Sequence, residues 1–395
     1  MSKIYLVSSN AKCKSNSVLS AQLLAYFAEN GHGFTRDIRD ADLVVVNTCG
    51  FIDVTKKFSI RLVKDILTRR PEGKPVISLG CLVRIDRQAL EEECKGHYIV
   101  DDLEQLDRFI GARVPLRNIP CFHYERFSLK QINQRKFYVR NSVFFALCRF
   151  FKVFKSFPFS QILEEEGDEN KIFIQIGSGC LNQCSYCVIK KAQGTALSRP
   201  ILDILDEIKR IYRPGVSLNL VADDCGSYRA DRGEDLIMLL YAIDQVYPGI
   251  PLELSYLHPR WLELYEARYI EVFRKLNIRN INVSLQSGSD RILSAMKRGY
   301  NKQAIVRILK EIKKTSPTTL IWGYFMVGYP LEDWEDFYLT VQATRYYDFF
   351  DVFWYSPVNN LTNGGKRRAS YANMLVKKAI LRFALYYWLL RGLFS

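Results

Sequence analysis

Short apolar runs, each ending in a polar or glycine-marked turn and followed by a stretch of helical periodicity, recur along most of the chain. This alternation constrains the fold more than any other feature. Ile4 to Ser8, Leu43 to Asn47 and Val76 to Leu79 read as buried parallel strands, separated by amphipathic helices predicted at Asn16 to Asn30 and Asp53 to Arg69. Residues 1–115 are therefore expected to form an α/β domain, a doubly wound parallel sheet with helices on both faces. A second series starts at Lys171. Strand-like runs near Phe173, Leu218, Leu254, Val283, Trp322 and Phe353 alternate with helices predicted at Ile201 to Tyr212, Glu234 to Tyr247, Lys302 to Lys314 and Trp334 to Tyr347. Six such units over residues 169–358 predict a partial (β/α)6 barrel, whose ligand site lies at the strand carboxyl ends.

Cysteines mark those ends. Cys180-x-x-x-Cys184-x-x-Cys187 follows the first strand of the second series, and Cys13, Cys49 and Cys81 each follow a strand of the first. In an open parallel sheet the ligand crevice lies outside the strand carboxyl ends, so the latter three are expected to converge on one edge. Thiolates are soft donors suited to iron-sulfur clusters. A cubane held by three of them keeps one iron open to a substrate or cofactor. A three-thiolate zinc site uses the same ligands, and small buried cysteines also pack behind strands without binding anything. Cys94, Cys121, Cys148 and Cys225 are read as packing or incidental thiols. Ten cysteines, six of them in two such sets, fit a reducing cytoplasm better than a disulfide framework. Met1 to Lys3 runs straight into the first strand, without the pattern of a signal peptide.

The net charge of +14 is concentrated. Residues 121–160 carry eight Lys/Arg against one Glu, and residues 360–395 carry seven against no acid, which together account for the whole excess. The first of these stretches lies in a basic, aromatic linker at 116–168. The second lies in a basic amphipathic helical tail at 359–395. Lys377, Lys378, Arg382 and Arg391 interrupt the apolar run Ala372 to Phe394 and make it too charged for a transmembrane helix. Packing of the tail on Phe144, Leu147, Phe151 and Phe154 of the linker is the favoured reading, with peripheral membrane contact as the alternative.

The motifs around the cysteines resemble those of the radical S-adenosylmethionine methylthiotransferases. The loop Gly177-Ser-Gly-Cys180-Leu-Asn-Gln-Cys184-Ser-Tyr186-Cys187 carries an aromatic residue directly before its third cysteine. Ser198-Arg199-Pro200, Leu285 to Arg291 with Ala295 to Tyr300, and Val327-Gly328-Tyr329-Pro330 follow in the family's order. Cys13-Lys-Ser-Asn16, Asn47 to Ile52 and Gly80-Cys81 match its amino-terminal domain. The resemblance implies two 4Fe-4S clusters, a radical one on Cys180, Cys184 and Cys187 and an auxiliary one on Cys13, Cys49 and Cys81. It implies S-adenosylmethionine as cofactor, two molecules per turnover, and a low-potential electron donor of the flavodoxin or ferredoxin type. The product is C-SCH3 in place of a C-H bond, by way of a 5'-deoxyadenosyl radical. Tyr186, Gln286, Ser287 and Asp224 are the residues expected to bind cofactor. Asn16 and Asn47 are expected to pin the cysteine loops, and His258 is read as structural.

Three departures bear on substrate. Ala222 to Tyr228 replaces the family's usual run after the second barrel strand and adds the carboxylate of Asp224. Leu331 stands where a glycine usually follows Pro330. After Pro357 only 38 residues remain, with a helical pattern in place of the small β-barrel with which family members typically close. A polypeptide or a specialised small substrate is therefore expected, with a transfer-RNA adenosine as the alternative. Asn47 to Ile52 resembles the branch acting on a ribosomal protein, and Gln286 to Tyr300 the transfer-RNA branch. Two further readings are a catalytically degenerate RNA- or membrane-binding member, and radical sulfur insertion without methyl transfer.

Overall fold

The computed structural model describes residues 2–10, 13–124, 170–229, 233, 235–356 and, near the carboxyl end, 373, 375–377, 379–381 and 383–384. Most of the aromatic linker and the basic tail, and so their expected mutual packing, lie outside the described residues. The chain divides into two compact units, residues 1–175 with 188–194, and residues 176–187 with 195–395.

The first unit contains β1 (Lys3–Ser8), β2 (Gly33–Phe34), β3 (Leu43–Thr48), β4 (Val76–Gly80) and β5 (Tyr98–Ile99), all parallel, in the order β2-β1-β3-β4-β5. All six residues of β3 are buried, which requires cover on both faces. Leu43 and Val45 join a core with Leu23, Phe27 and Leu106, while Val44 and Val46 join another with Val63, Ile66 and Leu82. The alternation follows from the two-residue period of a strand. The predicted helices form at Lys14–Glu29 and Asp53–Arg69, the latter burying Ile60, Val63 and Ile66 at helical spacing. The unit extends past residue 115. It includes β6 (Phe122–Tyr124), antiparallel to β7 (Lys171–Gln175), the strand expected to open the second series.

In the second unit, β8 (Gly177–Ser178) and β9 (Leu197–Ser198) form a short antiparallel ribbon. The parallel run consists of β10 (Ser217–Val221), β11 (Leu252–Leu257), β12 (Ile278–Gln286), β13 (Leu320–Val327) and β14 (Phe349–Trp354), neighbours in chain order. These are the strands expected near Leu218, Leu254, Val283, Trp322 and Phe353. Side chains start the crossover helices. Asp235, Ser289, Asn301 and Asp333 each accept a first-turn N–H. A buried polar chain crosses three strands: Asn219 donates to Glu253, Ser255 to Asn219, and Asn282 to the Ser255 carbonyl. Lys377 of the tail is buried and pairs at 2.7 Å with Glu332, also buried, its ammonium over the rings of Trp334 and Phe337. No helix among the described residues is long and apolar enough to cross a membrane.

Candidate cluster sites

Cys180, Cys184 and Cys187 occupy one loop of the second unit, after β8. The loop is tight because Gly179 takes φ +77°, and a Cβ there would come 2.7 Å from the carbonyl carbon of Thr195. Asp223 fixes the start of the loop by accepting from Gly179 N at 2.8 Å. Burial, with Asp224 as neighbour, pushes the Asp223 carboxyl up to about 6 against the opposing hydrogen bond.

Asp224 has a different task from the one expected. Its oxygens accept from Asn182 Nδ2 (2.7 Å), Ser227 Oγ (2.7 Å), Trp261 Nε1 (2.7 Å), His258 N (3.0 Å) and Gly226 N (3.2 Å). A carboxylate has about four lone-pair positions, so five donors leave it saturated and tie the loop to the ends of β10 and β11. Cys180 Sγ lies 3.7 Å from the same carboxylate, and burial, then that charge, pushes its thiol up to about 11. Binding a metal centre there releases the thiol proton. Asn182 directs both its backbone N–H and its side-chain amide at Cys180 Sγ, at 3.4 and 3.3 Å.

Two side chains reach Cys184. Arg298 donates to its sulfur at 3.3 Å, and also to Tyr186 Oη, Tyr300 Oη and the Ser284 carbonyl. Arg298 is 4% exposed, and burying a charge is costly without compensation. Its partners are the Ser284 carbonyl, two phenols and the Cys184 sulfur. His258 caps the helix Pro259–Leu264 by accepting from Arg260 N at Nδ1, which puts its proton on Nε2, 3.6 Å from Cys184 Sγ. Burial lowers the pKa of His258 well below the ordinary value, so the ring is neutral. The structural role expected of it is present, with a thiol contact in addition.

The remaining expected cofactor contacts are inward-facing. Tyr186 packs on Ile292, Met296, Met326, Tyr329 and Tyr355. Ser287 is fully buried, its hydroxyl 3.3 Å from Thr340 Oγ1 and accepting from Ser289 N. Gln286 ends β12 at φ +73°, where the pairing register shifts. These positions shape the turn into the helix Asp290–Ala295.

In the first unit, Cys13, Cys49 and Cys81 follow β1, β3 and β4, three adjacent strands whose ends align through Ser8 with Asn47 and Thr48 with Gly80. Gly80 has φ +97°, and a Cβ would come 2.6 Å from the Thr48 carbonyl oxygen. Asn47, fully buried, donates to Ser20 Oγ and the Asn16 carbonyl, while Asn16 donates back to Asn47 Oδ1 at 3.1 Å. Ser59 exchanges hydrogen bonds with Cys49 N and O. Amides again face sulfur: Asn10 Nδ2 lies 3.3 Å from Cys49 and Gln193 Nε2 3.5 Å from Cys81. Gln193 comes from the helix Ile189–Gln193, which also accepts at the Ala192 carbonyl from Arg84.

Both sets fit cubane clusters by their chemistry. Each offers three thiols, with N–H donors aimed at the sulfurs of Cys180 and Cys184 in one set and of Cys49 and Cys81 in the other, the contacts that stabilise thiolates and tune a cluster's potential. Among the described residues, no three His, Cys, Asp or Glu side chains converge on one metal-ion position. A cubane spreads its ligands over separate irons and does not require such convergence. None of the nine described cysteines forms a disulfide. Asn182 and Arg298 stand within the motifs with nothing to mark them as sulfur contacts, and Asn10 and Gln193 lie only near them.

Residues 174–343 match the Radical SAM superfamily and residues 7–101 the Uncharacterized protein family UPF0004. The ribosomal protein uS12 methylthiotransferase RimO of Pelobacter propionicus is 29% identical over 354 residues, 87% of this chain and 72% of that protein. Its counterpart in Campylobacter jejuni is 28% identical over 361 residues, 90% and 74% respectively. Among solved structures, the cobalamin-dependent S-adenosylmethionine radical enzyme OxsB superposes with a TM-score of 0.53 at 11% identity. The match covers 99% of this chain and 56% of OxsB, so this chain spans just over half that enzyme's length and the likeness concerns the fold.

Proposed function

Because the chain belongs to the radical S-adenosylmethionine methylthiotransferase family, whose members are transferases using S-adenosylmethionine and a 4Fe-4S cluster, we propose that it converts a substrate C-H bond to C-SCH3. In this reading Cys180, Cys184 and Cys187 hold the radical cluster, Cys13, Cys49 and Cys81 hold a second, and each turnover consumes two S-adenosylmethionine molecules. The carrying observation is that both three-thiol sets sit at strand ends and have N–H donors turned to sulfur, at Cys180 and Cys184 in one and at Cys49 and Cys81 in the other. When bound, the first cluster and S-adenosylmethionine supply the reductive chemistry that activates an unactivated C-H bond. The chain's own part is positional. Asp224 ties down the Cys180 loop, Arg298 and His258 orient Cys184, and the Asn16–Asn47 pair supports Cys49.

The proposed substrate is a polypeptide. The relatives named above are ribosomal-protein methylthiotransferases, and Asn47 to Ile52 resembles that branch. A transfer-RNA adenosine is the second reading, favoured by the run Gln286 to Tyr300. A cytoplasmic setting belongs to the same proposal, since thiolate clusters need a reducing compartment. Anaerobic turnover of the reconstituted chain with uS12-derived peptide and with transfer RNA, followed by mass spectrometry, tests it. A methylthio group on peptide is expected. Methylthiolation of RNA alone would overturn the substrate, and formation of no 5'-deoxyadenosine would overturn the reaction.

A further inference from the structure

The cysteine loop of the second unit has two unlike flanks. Tyr186, on the far side of Cys184, is turned into an apolar core. Leu181, Asn182 and Gln183, on the near side, line an open pocket of about 520 Å³ with Arg260, Lys297 and Arg298. One carboxylate, Asp290, reaches this pocket, and it already accepts from Lys302 N. Arg260 and Lys297 are exposed, while Arg298 is buried and donates to Cys184 Sγ. Lys297 is held at φ +55°, an unusual backbone for a lysine. The pocket thus presents positive charge at its mouth and, at its wall, a residue bonded to a cysteine sulfur expected to bind iron.

We propose that this basic pocket is the docking surface for an acidic, low-potential one-electron donor protein, which reduces the cluster through the loop flank at residues 181–183. The proposal rests on the reading that Cys180, Cys184 and Cys187 hold a cluster. One electron leaves the donor and enters the cluster, and no bond forms or breaks. Electron-transfer encounters are small and weak, and charge steers their rate more than it strengthens the complex. Three cations around one pocket suit such an encounter. They are few for RNA, whose recognition rests on many phosphate contacts.

The test uses the full chain with reconstituted clusters and reduced flavodoxin as probe. In R260E/K297E, the bimolecular rate of cluster reduction at low salt is expected to fall about tenfold or more and to lose its decline with added salt. Reduction by photoreduced deazaflavin, which needs no protein docking, is expected to be unchanged. Binding of oxidised flavodoxin, measured by calorimetry, is expected to weaken in parallel. R260Q/K297G removes the charge while placing glycine at a left-handed backbone position, and should show a smaller loss of the same sign. A flavodoxin rate that stays at the wild-type value, or equal slowing with both reductants, would overturn the surface. So would weakened binding of RNA or peptide with flavodoxin binding intact. Normal iron content with an unmoved flavodoxin rate sinks the surface alone. A wild-type chain holding no iron on Cys180, Cys184 and Cys187 sinks the cluster reading with it.

Discussion

The two cysteine sets solve one problem by opposite routes. Cys180, Cys184 and Cys187 lie within eight residues on one loop, and long-range contacts from Asp224, Arg298 and His258 hold that loop in place. Cys13, Cys49 and Cys81 are spread over 69 residues and are brought to one edge by sheet order, with a buried asparagine pair locking the strand ends. Yet the same device precedes a cysteine in both sets, a glycine at positive φ whose missing Cβ leaves room for a backbone carbonyl. A local set needs outside support for its orientation. A distributed set needs the fold to exist at all.

Alanine at either glycine separates the two routes with the largest effect. Each substitution combines a left-handed backbone with a Cβ pressed against main chain, and is expected to cost about 4 kcal/mol. Gly80→Ala should remove the iron bound by Cys13, Cys49 and Cys81 and spare the other set, and Gly179→Ala should do the converse. Iron analysis with Mössbauer or EPR spectra decides, and equal loss of both sets in either variant would break the distinction.

Next in size is a perturbation that weakens the second unit away from its loop. Lys377→Ala leaves Glu332 buried and unpaired, at an expected cost of about 3 kcal/mol, whereas replacing both partners by apolar residues should cost far less. Urea unfolding measures the change. Iron retained on the Cys180 set below the midpoint supports local support of that loop, and its loss would contradict it.

A smaller effect depends on pH. Folding raises the Asp223 carboxyl from 3.8 to about 6, so the folded chain binds that proton more tightly than the unfolded chain. The resulting stabilisation is complete below the unfolded value and is lost as pH rises through the folded one. The cluster-free chain is expected to lose roughly 2 kcal/mol from this group between about pH 4 and about pH 7. Asp223→Asn, which still accepts from Gly179 N, should remove this part of the pH dependence in denaturation curves. An unchanged profile would show that the carboxyl titrates normally.

The smallest contrast lies in the amides. Asn182→Ala removes donors to both Cys180 and Asp224 and is expected to cost about 1.5 kcal/mol, against about 0.5 kcal/mol for Asn10→Ala, which removes a contact to Cys49. Equal costs would remove the claim that the local loop depends more on outside support.

Much of this was legible in the chain. Periodicity locates the strands of both units, and strand-end logic alone brings Cys13, Cys49 and Cys81 to one edge. Polar pairing escaped it. The partners of Asp224 come from positions 182, 226, 227, 258 and 261, and neither the strand nor the helix period reports which side chains meet across such separations. Asp224 therefore read as a cofactor ligand, although its lone pairs are already taken. The unit boundary was hidden for a related reason. β7 resembles the strands that follow it, and the grouping of Lys171–Gln175 with the first unit is not visible in that pattern.

The chain leaves the second unit at Val188 and returns at Thr195, immediately after its third loop cysteine. Those seven residues supply Gln193 to Cys81 and a carbonyl to Arg84, both in the first unit. A gene fragment beginning at the radical domain would therefore carry off part of its neighbour's thiol environment. Recombination between relatives at that natural-looking seam would bring Cys81 and Gln193 from different parents.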